Sequence, residues 1–112
     1  MTYMPSYYKY SIILVRYPFS DLSSSKVRPA VVVSAAHSSQ DILITPLTSN
    51  TGKLLAGEFV LSEWEAEGLN VVTAVKRVVY TVHENLVLKV IGKLVNSDAE
   101  RLEGSLRYWL GL

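Results

Sequence analysis

Short apolar runs recur along the chain from about residue 9 onward, and they are rich in β-branched side chains. Runs of this length and composition are typical of strands and are too short for most helices. Turn-forming residues separate the runs, which lie at 12–15, 30–33, 42–44, 58–61, 71–75 and 86–91. The pattern predicts a mainly β fold whose sheet is closed or half closed, because closure leaves few strand edges unpaired.

Two segments interrupt this pattern with helix signals. Ser62 and Glu65 have the spacing of a capping box, and Gly68 offers a left-handed stop, which together predict one short helix. Residues 97–100 repeat the capping spacing. The apolar residues that follow recur on one helical face, and they are Leu102, Leu106, Trp109 and Leu110. The sequence therefore predicts a small SH3-like barrel with a C-terminal amphipathic helix.

Length and composition restrict the organisation of the chain. We expect residues 1–112 to form one domain, with 1–8 as an irregular N-terminal arm, since 112 residues can bury one core. A hydrophobic content of 49% with a net charge of +1 argues against disorder. The chain has no cysteine, which excludes disulfides and thiolate chemistry. It has neither a secretory pattern nor an apolar stretch long enough to span a membrane, so we expect a cytoplasmic protein with no membrane contact.

Most familiar catalytic patterns are absent from the sequence. His37 and His83 are the only histidines, and both are expected to be solvated loop residues, so no metal site is predicted. There is no nucleophile elbow and no glycine-rich phosphate loop. Glu63, Glu65 and Glu67 form an acidic cluster that we expect to be the solvated face of the first helix rather than a catalytic pair.

The polar segment 17–29 between the first two apolar runs is the strongest candidate for function, because connections in small β folds are usually much shorter. It ends in Lys26 and Arg28, whose side chains would point the same way in an extended chain. Pro29 favours extended geometry at Arg28. From the residues alone, either an anion site or a surface pair beside an edge proline fits this pattern. The near-neutral net charge counts against nucleic acid as a partner.

Four segments of the chain resemble the MazF/PemK toxin endoribonucleases of bacterial toxin–antitoxin pairs. They occur in family order, and the most specific are Arg-Pro-Ala-Val-Val-Val-Ser at 28–34 and Pro-Leu-Thr-Ser-Asn at 46–50. The other two lie at 13–21 and 82–94. One departure is that Tyr10 and Ser11 stand where family members usually carry Gly-Asp.

The resemblance implies the fold predicted above and a function. It implies a homodimer that selectively cleaves single-stranded RNA, such as mRNA, without metal or another cofactor, and a cognate antitoxin that occupies the RNA groove. It places the family's catalytic arginine on Arg28 and its catalytic hydroxyl on Thr48. The alternative for Thr48 is a turn residue that bonds its own backbone. Phe19 is a candidate base-stacking platform, or equally a core residue. Further candidate RNA contacts are Ser25, Lys26, Ser49, Asn50 and Lys53.

Two other functions fit the same fold. The CcdB toxins, which poison gyrase by binding it, share this barrel, and a catalytically inert SH3-like binding module would also have it. Arg28 followed by proline, together with Thr48, favours the nuclease. Cleavage of a long RNA in the presence of EDTA would distinguish the nuclease from both alternatives.

Overall fold

A computed structural model describes residues 7–18, 25–35 and 38–112. This part of the chain forms antiparallel strands and a C-terminal helix, and a 3-10 turn at Glu84–Leu86 joins the last two strands. The elements are β1 (Ser11–Pro18), β2 (Ser25–Val32), β3 (Asp41–Thr48), β4 (Phe59–Val60), β5 (Ala74–Val75), β6 (Tyr80–His83), β7 (Val87–Lys93) and α1 (Asn96–Leu110).

The strands follow the order β4-β5-β3-β2-β1-β7, and β6 pairs with β3. β3 connects the parts of the sheet: its first half pairs with β6, its centre with β2, and its last two residues with β5. Among the described strands, no pairing joins β7 to β4 or to β6. The predicted mainly β fold with a C-terminal helix is confirmed, in its half-closed form.

The core consists of two apolar clusters on opposite faces of the sheet. Neighbouring residues of a strand point to opposite faces, so Ile12 belongs to one cluster and Ile13 to the other. In the same way Val31 and Val32 are both buried, but in different clusters. α1 covers the cluster that contains Ile12 through Leu102, which is fully buried. Burial on both faces explains why the strands appear in the sequence as continuous apolar runs.

The strands extend beyond the apolar runs, and this corrects the predicted loop at 17–29. β1 continues to Pro18 and β2 begins at Ser25, and these two residues are paired. Arg28 therefore lies within β2, opposite Val15. The connection between the strands is 19–24, which is outside the described residues. β6 was not predicted, because only Val82 of its four residues is buried and it gives no distinctive apolar run.

The predicted short helix at 62–68 is wrong, since this segment forms turns. Ser62 does not cap it: its backbone N–H and its hydroxyl donate to the Asp98 carboxylate at 3.0–3.2 Å. Gly68 does adopt the left-handed backbone, with φ of +97°. The expected solvated acidic face is also wrong in part. Glu63 and Glu65 are exposed, whereas Glu67 is fully buried.

α1 begins at Asn96, before the predicted capping residue Ser97, and no side chain caps its N-terminus. A left-handed Gly111 ends it. Three of the four predicted apolar positions pack against the core, but Leu110 is 58% exposed, so its placement on the buried face is wrong. Trp109 Nε1 donates to the Ala56 carbonyl at 2.8 Å and fixes the end of the helix.

Tyr10 has a positive φ of 73°, the backbone region that favours glycine. It stands where the resembling family usually carries glycine. The tyrosine hydroxyl donates to Glu103 Oε2 at 2.5 Å, and Ser11 Oγ accepts from the Tyr8 N–H at 2.9 Å. The ring also packs against the core. Tyr10 thus forms a left-handed turn that precedes β1, and its hydrogen bond to Glu103 of α1 holds the turn in place.

Candidate active site

An open cavity of about 610 Å³ lies beside the sheet where β1, β2, β3 and β7 meet the segment 68–73. Apolar residues such as Leu14 and Leu47 form part of its lining. Its polar lining residues are Arg28, Thr48, Ser49, Asn70, Thr73 and Lys89. The cavity thus contains both residues to which the resemblance assigns catalysis.

Strand register explains how distant residues reach this cavity. Leu14 is paired with Pro29 on one side and with Lys89 on the other. Directly paired residues of antiparallel strands project on the same face, so these three share the cavity side. Strands lie about 4.8 Å apart, which places Lys89 roughly 10 Å across the sheet from β2. Thr48 is the last residue of β3, which pairs with β2 through Ala30 and Pro46.

Thr48 is half-buried, and its hydroxyl oxygen accepts a hydrogen bond from the Asn50 N–H at 3.0 Å. This is the local turn contact that the alternative interpretation predicted. It also leaves the hydroxyl proton free to be donated, and within the described ranges no protein acceptor takes it. A hydroxyl that is held by a backbone amide and retains its proton is suited to donate to an anionic oxygen.

The other predicted contact residues divide into three groups. Ser49 lines the cavity. Lys26, Asn50 and Lys53 are exposed but do not line it. Phe19 and the side chain of Ser25 lie outside the described residues, so both remain predictions.

His83 is not among the residues that line the cavity. His83 is exposed, and its Nδ1 accepts from the Asn85 N–H at 3.1 Å, so it caps the 3-10 turn. His37 lies outside the described residues.

Three polar residues of the cavity were not predicted from the sequence. Lys89 is predicted only as a strand residue, although a lysine inside an apolar run is a signal of a functional position. Thr73 is buried, and its hydroxyl donates to the Val71 carbonyl at 2.8 Å. Asn70 directly precedes the run 71–75, which is predicted to be a strand but is irregular before β5. The packing of 68–73 against the sheet brings Asn70 and Thr73 to the site, whereas Lys89 reaches it through the pairing of β7 with β1.

The cavity is more basic than the chain as a whole. Its described lining residues include Arg28 and Lys89, and none of those described is Asp, Glu or His. The chain has 11 cationic and 10 anionic side chains, so the chain without Arg28 and Lys89 has nine cationic and ten anionic side chains. The ion pairs found in the described part of the chain all involve Glu103, and none includes Lys89. The near-neutral net charge of the chain therefore does not count against a nucleic-acid partner at this cavity.

Two kinds of feature are absent from residues 7–18, 25–35 and 38–112. No three His, Asp or Glu side chains converge there as a metal site would require. No helix in those ranges has the length and apolar character needed to cross a bilayer.

The fold is similar to solved toxin structures at low sequence identity. An endoribonuclease from a mycobacterial species superposes with a TM-score of 0.75 at 16% identity, covering 99% of this chain and 97% of that one. The Mycobacterium tuberculosis toxin MazF-mt6 gives 0.72 at 20% identity, covering 91% and 97%. A Deinococcus radiodurans MazE–MazF crystal structure gives 0.75 at 18% identity, covering 98% and 99%.

The sequence itself identifies the family. No curated protein matches it significantly. Residues 8–110, which include every lining residue of the cavity, match the family described as PemK-like, MazF-like toxin of type II toxin–antitoxin systems. The chain therefore belongs to the PemK-like, MazF-like toxin family.

Proposed function

We propose that this protein is a type II toxin that cleaves single-stranded RNA in the cavity between Arg28 and Thr48. The observation that carries the proposal is the cavity itself, whose described lining includes Arg28, Thr48 and Lys89. Family membership supports it, as does the description of similar structures as endoribonucleases. These side chains are donors for phosphate rather than ligands for a divalent cation, so we expect activity without added metal.

The reaction uses a nucleophile from the RNA itself. The 2′-oxygen attacks the adjacent phosphorus, and the bond from phosphorus to the 5′-oxygen breaks. The 2′-hydroxyl loses its proton, and the leaving 5′-oxygen gains one. The products are a 2′,3′-cyclic phosphate and a 5′-hydroxyl. Negative charge grows on the non-bridging oxygens in the transition state. The guanidinium of Arg28 donates to those oxygens in the planar arrangement that matches phosphate.

Thr48 assists through the proton of its hydroxyl. Because the Asn50 N–H already occupies one acceptor position of Oγ1, the hydroxyl is oriented before RNA binds. We therefore assign Thr48 as a donor to a non-bridging oxygen, and Asn50 as the residue whose backbone positions it. Donors that are oriented in advance stabilise a transition state without a cost of reorganisation at the moment of reaction.

Lys89 provides a second positive charge across the cavity from β2. Lysine binds phosphate as a point charge rather than bidentately, so Lys89 suits a phosphate next to the one that reacts. Ser49 and Asn70 lie exposed in the lining, where they can contact bases. The lysine is expected to contribute mainly to RNA affinity, and the arginine mainly to the rate of cleavage.

The proposal includes the partners and location implied by the family. Two of the similar structures are toxins solved with their antitoxins, one mycobacterial and one from Deinococcus radiodurans. We propose that a cognate antitoxin binds this chain over the cavity, and that the toxin is a cytoplasmic homodimer. Light scattering of the purified protein tests the dimer, and a monomer at micromolar concentration would contradict it.

RNA cleavage in the presence of EDTA tests the central proposal. The purified protein is incubated with a long single-stranded RNA, and the new ends are examined for cyclic phosphate and 5′-hydroxyl. Replacing Arg28 by alanine is expected to reduce the cleavage rate about 100- to 1,000-fold. Arg77→Ala is the matched control, because Arg77 is exposed outside the cavity. A folded Arg28→Ala variant that cleaves at the wild-type rate would contradict the assignment.

The role of Lys89 has a separate test. Binding of a non-cleavable RNA is measured over a range of salt concentrations. Lys89→Gln is expected to weaken binding. It should also reduce the slope of log K against log salt by about 0.7, because that is the value for one phosphate contact on a single strand. Lys76→Gln, at an exposed lysine outside the cavity, should leave the slope unchanged. An unchanged slope for Lys89→Gln would remove Lys89 from the binding site.

A further inference from the structure

Glu67 and Asp98 are buried carboxyl groups that face each other between the 62–68 turns and α1. Both residues have no solvent exposure. Glu67 Oε2 accepts from the Val95 N–H at 2.9 Å, and the Asp98 carboxylate accepts from the backbone and hydroxyl of Ser62 at 3.0–3.2 Å. Glu67 thus bonds from the turns to the residue before the helix, and Asp98 bonds from the helix to the start of the turns.

One oxygen of this pair lacks a donor. Glu67 Oε1 is buried and receives no hydrogen bond from any described residue. Two ionised carboxylates in one buried site repel each other and lack solvation, so one of them retains a proton. A proton on Oε1 of Glu67 would let that oxygen donate a hydrogen bond to the Asp98 carboxylate, so Oε1 would no longer lack a partner.

The pKa of Glu67 agrees with this arrangement. Burial raises it most, the N–H of Val95 opposes the rise, and the hydrogen bond and charge of Asp98 raise it further, to about 7. The charged groups that act on Glu67 are Asp98 from α1 and Glu63 from its own segment.

The same segment forms one wall of the cavity. Residues 68–71 line it, immediately after Glu67. The backbone of Glu67 and Gly68 crosses β7 at Ile91 and Gly92 so closely that a Cβ on Gly68 would overlap the Ile91 carbonyl. A Cβ on Gly92 would overlap the Glu67 carbonyl in the same way. The wall is therefore held by its backbone against β7 and by the Glu67 side chain against α1.

We propose that Glu67 and Asp98 share one proton, and that this shared proton positions the 68–71 wall of the active-site cavity for RNA cleavage. The inference about cleavage rests on the proposed function, and the inference about the proton does not. Neither carboxyl group touches the RNA; both are positioning residues. Loss of the proton leaves two buried negative charges between the wall and α1, and the wall then departs from the geometry that cleavage needs. Small displacements of this kind reduce rates substantially.

Glu67→Gln tests the proposal directly, because the carboxamide has the shape of the protonated carboxyl group. Its oxygen can accept from Val95, and its NH₂ can donate to Asp98 at every pH. We expect the ratio of the variant's cleavage rate to the wild-type rate to rise roughly tenfold between pH 6 and pH 8. This is the change in the protonated fraction of a group with a pKa of about 7. Glu65→Gln, at an exposed carboxylate of the same segment, should give a constant ratio.

Thermal unfolding gives a readout that does not depend on RNA. Folded Glu67 holds its proton to about pH 7, whereas an ordinary glutamate releases it near 4.5. The folded state therefore binds more protons in that interval, and the unfolding free energy falls as pH rises from about 4.5 to about 7. The Tm of Glu67→Gln should lack this fall. Asp98→Asn, which removes the neighbouring charge, should move the fall to lower pH.

The outcomes separate the two proposals. Parallel Tm profiles for wild type, Glu67→Gln and Asp98→Asn would overturn proton sharing. A Tm difference with a constant ratio of cleavage rates would overturn the positioning role. If the wild type cleaves no RNA while the Tm profiles differ as expected, the proposed nuclease function fails and the shared proton stands.

Discussion

Two glutamates attach α1 to the rest of the molecule, and their pKa values shift in opposite directions. Glu67 approaches the helix from the turns before β5 and is buried, which raises its pKa to about 7. Glu103 lies on the helix itself with a side chain 42% exposed. The hydrogen bond from the Tyr10 hydroxyl, and then the charge of Lys9, lower its pKa. Burial decides the rise in the pKa of Glu67, one of whose oxygens receives no hydrogen bond from a described residue, whereas the donors around Glu103 decide the fall in its pKa.

The two attachments therefore respond to pH with opposite signs. The contribution of Glu67 is largest below pH 4.5 and falls as pH rises to about 7. The contribution of Glu103 is present above its ordinary value of 4.5 and is lost as pH falls through its lowered pKa. Considered alone, these two groups give the greatest stability near pH 4.5. Variants on each side test how independent the attachments are.

The largest effect is expected at the backbone crossing beside Glu67. Gly92→Ala would place a Cβ against the Glu67 carbonyl and push the 67–68 backbone away from β7. We expect the free energy of unfolding, measured in urea, to fall by roughly 3 kcal/mol or more. Gly104→Ala is the matched control on the open face of α1, where the helix should gain about 0.5–1 kcal/mol. A Gly92→Ala variant as stable as wild type would show that the buried attachment is not rigid.

Asp98→Ala breaks the buried attachment from the helix side. It leaves the N–H and hydroxyl of Ser62 without their acceptor in a part-buried site, which costs about 1–2 kcal/mol of unfolding free energy. Asp41→Ala, at an exposed carboxylate at the start of β3, should stay within about 0.5 kcal/mol of wild type. Equal losses for the two variants in urea denaturation would contradict the role given to Asp98.

Tyr10→Phe breaks the exposed attachment with less effect. The ring keeps its packing while the hydrogen bond to Glu103 is lost, so we expect a loss of about 1 kcal/mol at neutral pH. Tyr8→Phe, whose ring is 65% exposed, is the control and should not change the Tm. If Tyr10→Phe has the same Tm as Tyr8→Phe, the left-handed turn before β1 does not depend on this hydrogen bond.

The smallest effect is expected for Glu103→Gln at neutral pH. The difference from wild type should depend on acidity: wild type loses stability as pH falls below 4.5, and the variant does not. High salt should reduce the difference, because the contact with Lys9 is exposed. Tm measured from pH 3 to pH 7 at two salt concentrations tests this. Glu100→Gln, at another exposed position on α1, should follow the wild-type profile.

The strands and part of the site were predictable from the sequence for local reasons. Runs such as 30–33 are apolar on both faces because both faces of the sheet are covered. Arg28 and Thr48 were found through motif resemblance, and the cavity contains both. The side chain of Phe19 remains a prediction.

The remaining features depend on contacts between distant parts of the chain. Ser62 had a good capping pattern, but Asp98 competes for its donors, so no helix forms there. The same packing buries Glu67, whose spacing with Glu63 and Glu65 indicated only a solvated face. Lys89 reaches the cavity through its pairing with β1. None of these partners can be read from a local pattern, because each depends on strand register or on helix placement.

The crossing of Gly68 over Gly92 also bears on how the RNA sequence preference of this toxin could change. Gly68 lines the cavity there, and neither Gly68 nor Gly92 can take a side chain without displacing the carbonyl opposite it. Ser49 and Asn70 lie in the same lining with exposed side chains. Randomising these two positions, with Arg28 and the glycine crossing kept, should yield toxins that cut different RNA sequences by the same chemistry. In the proposed mechanism, the fixed part of the cavity serves the reaction and the exchangeable side chains serve recognition.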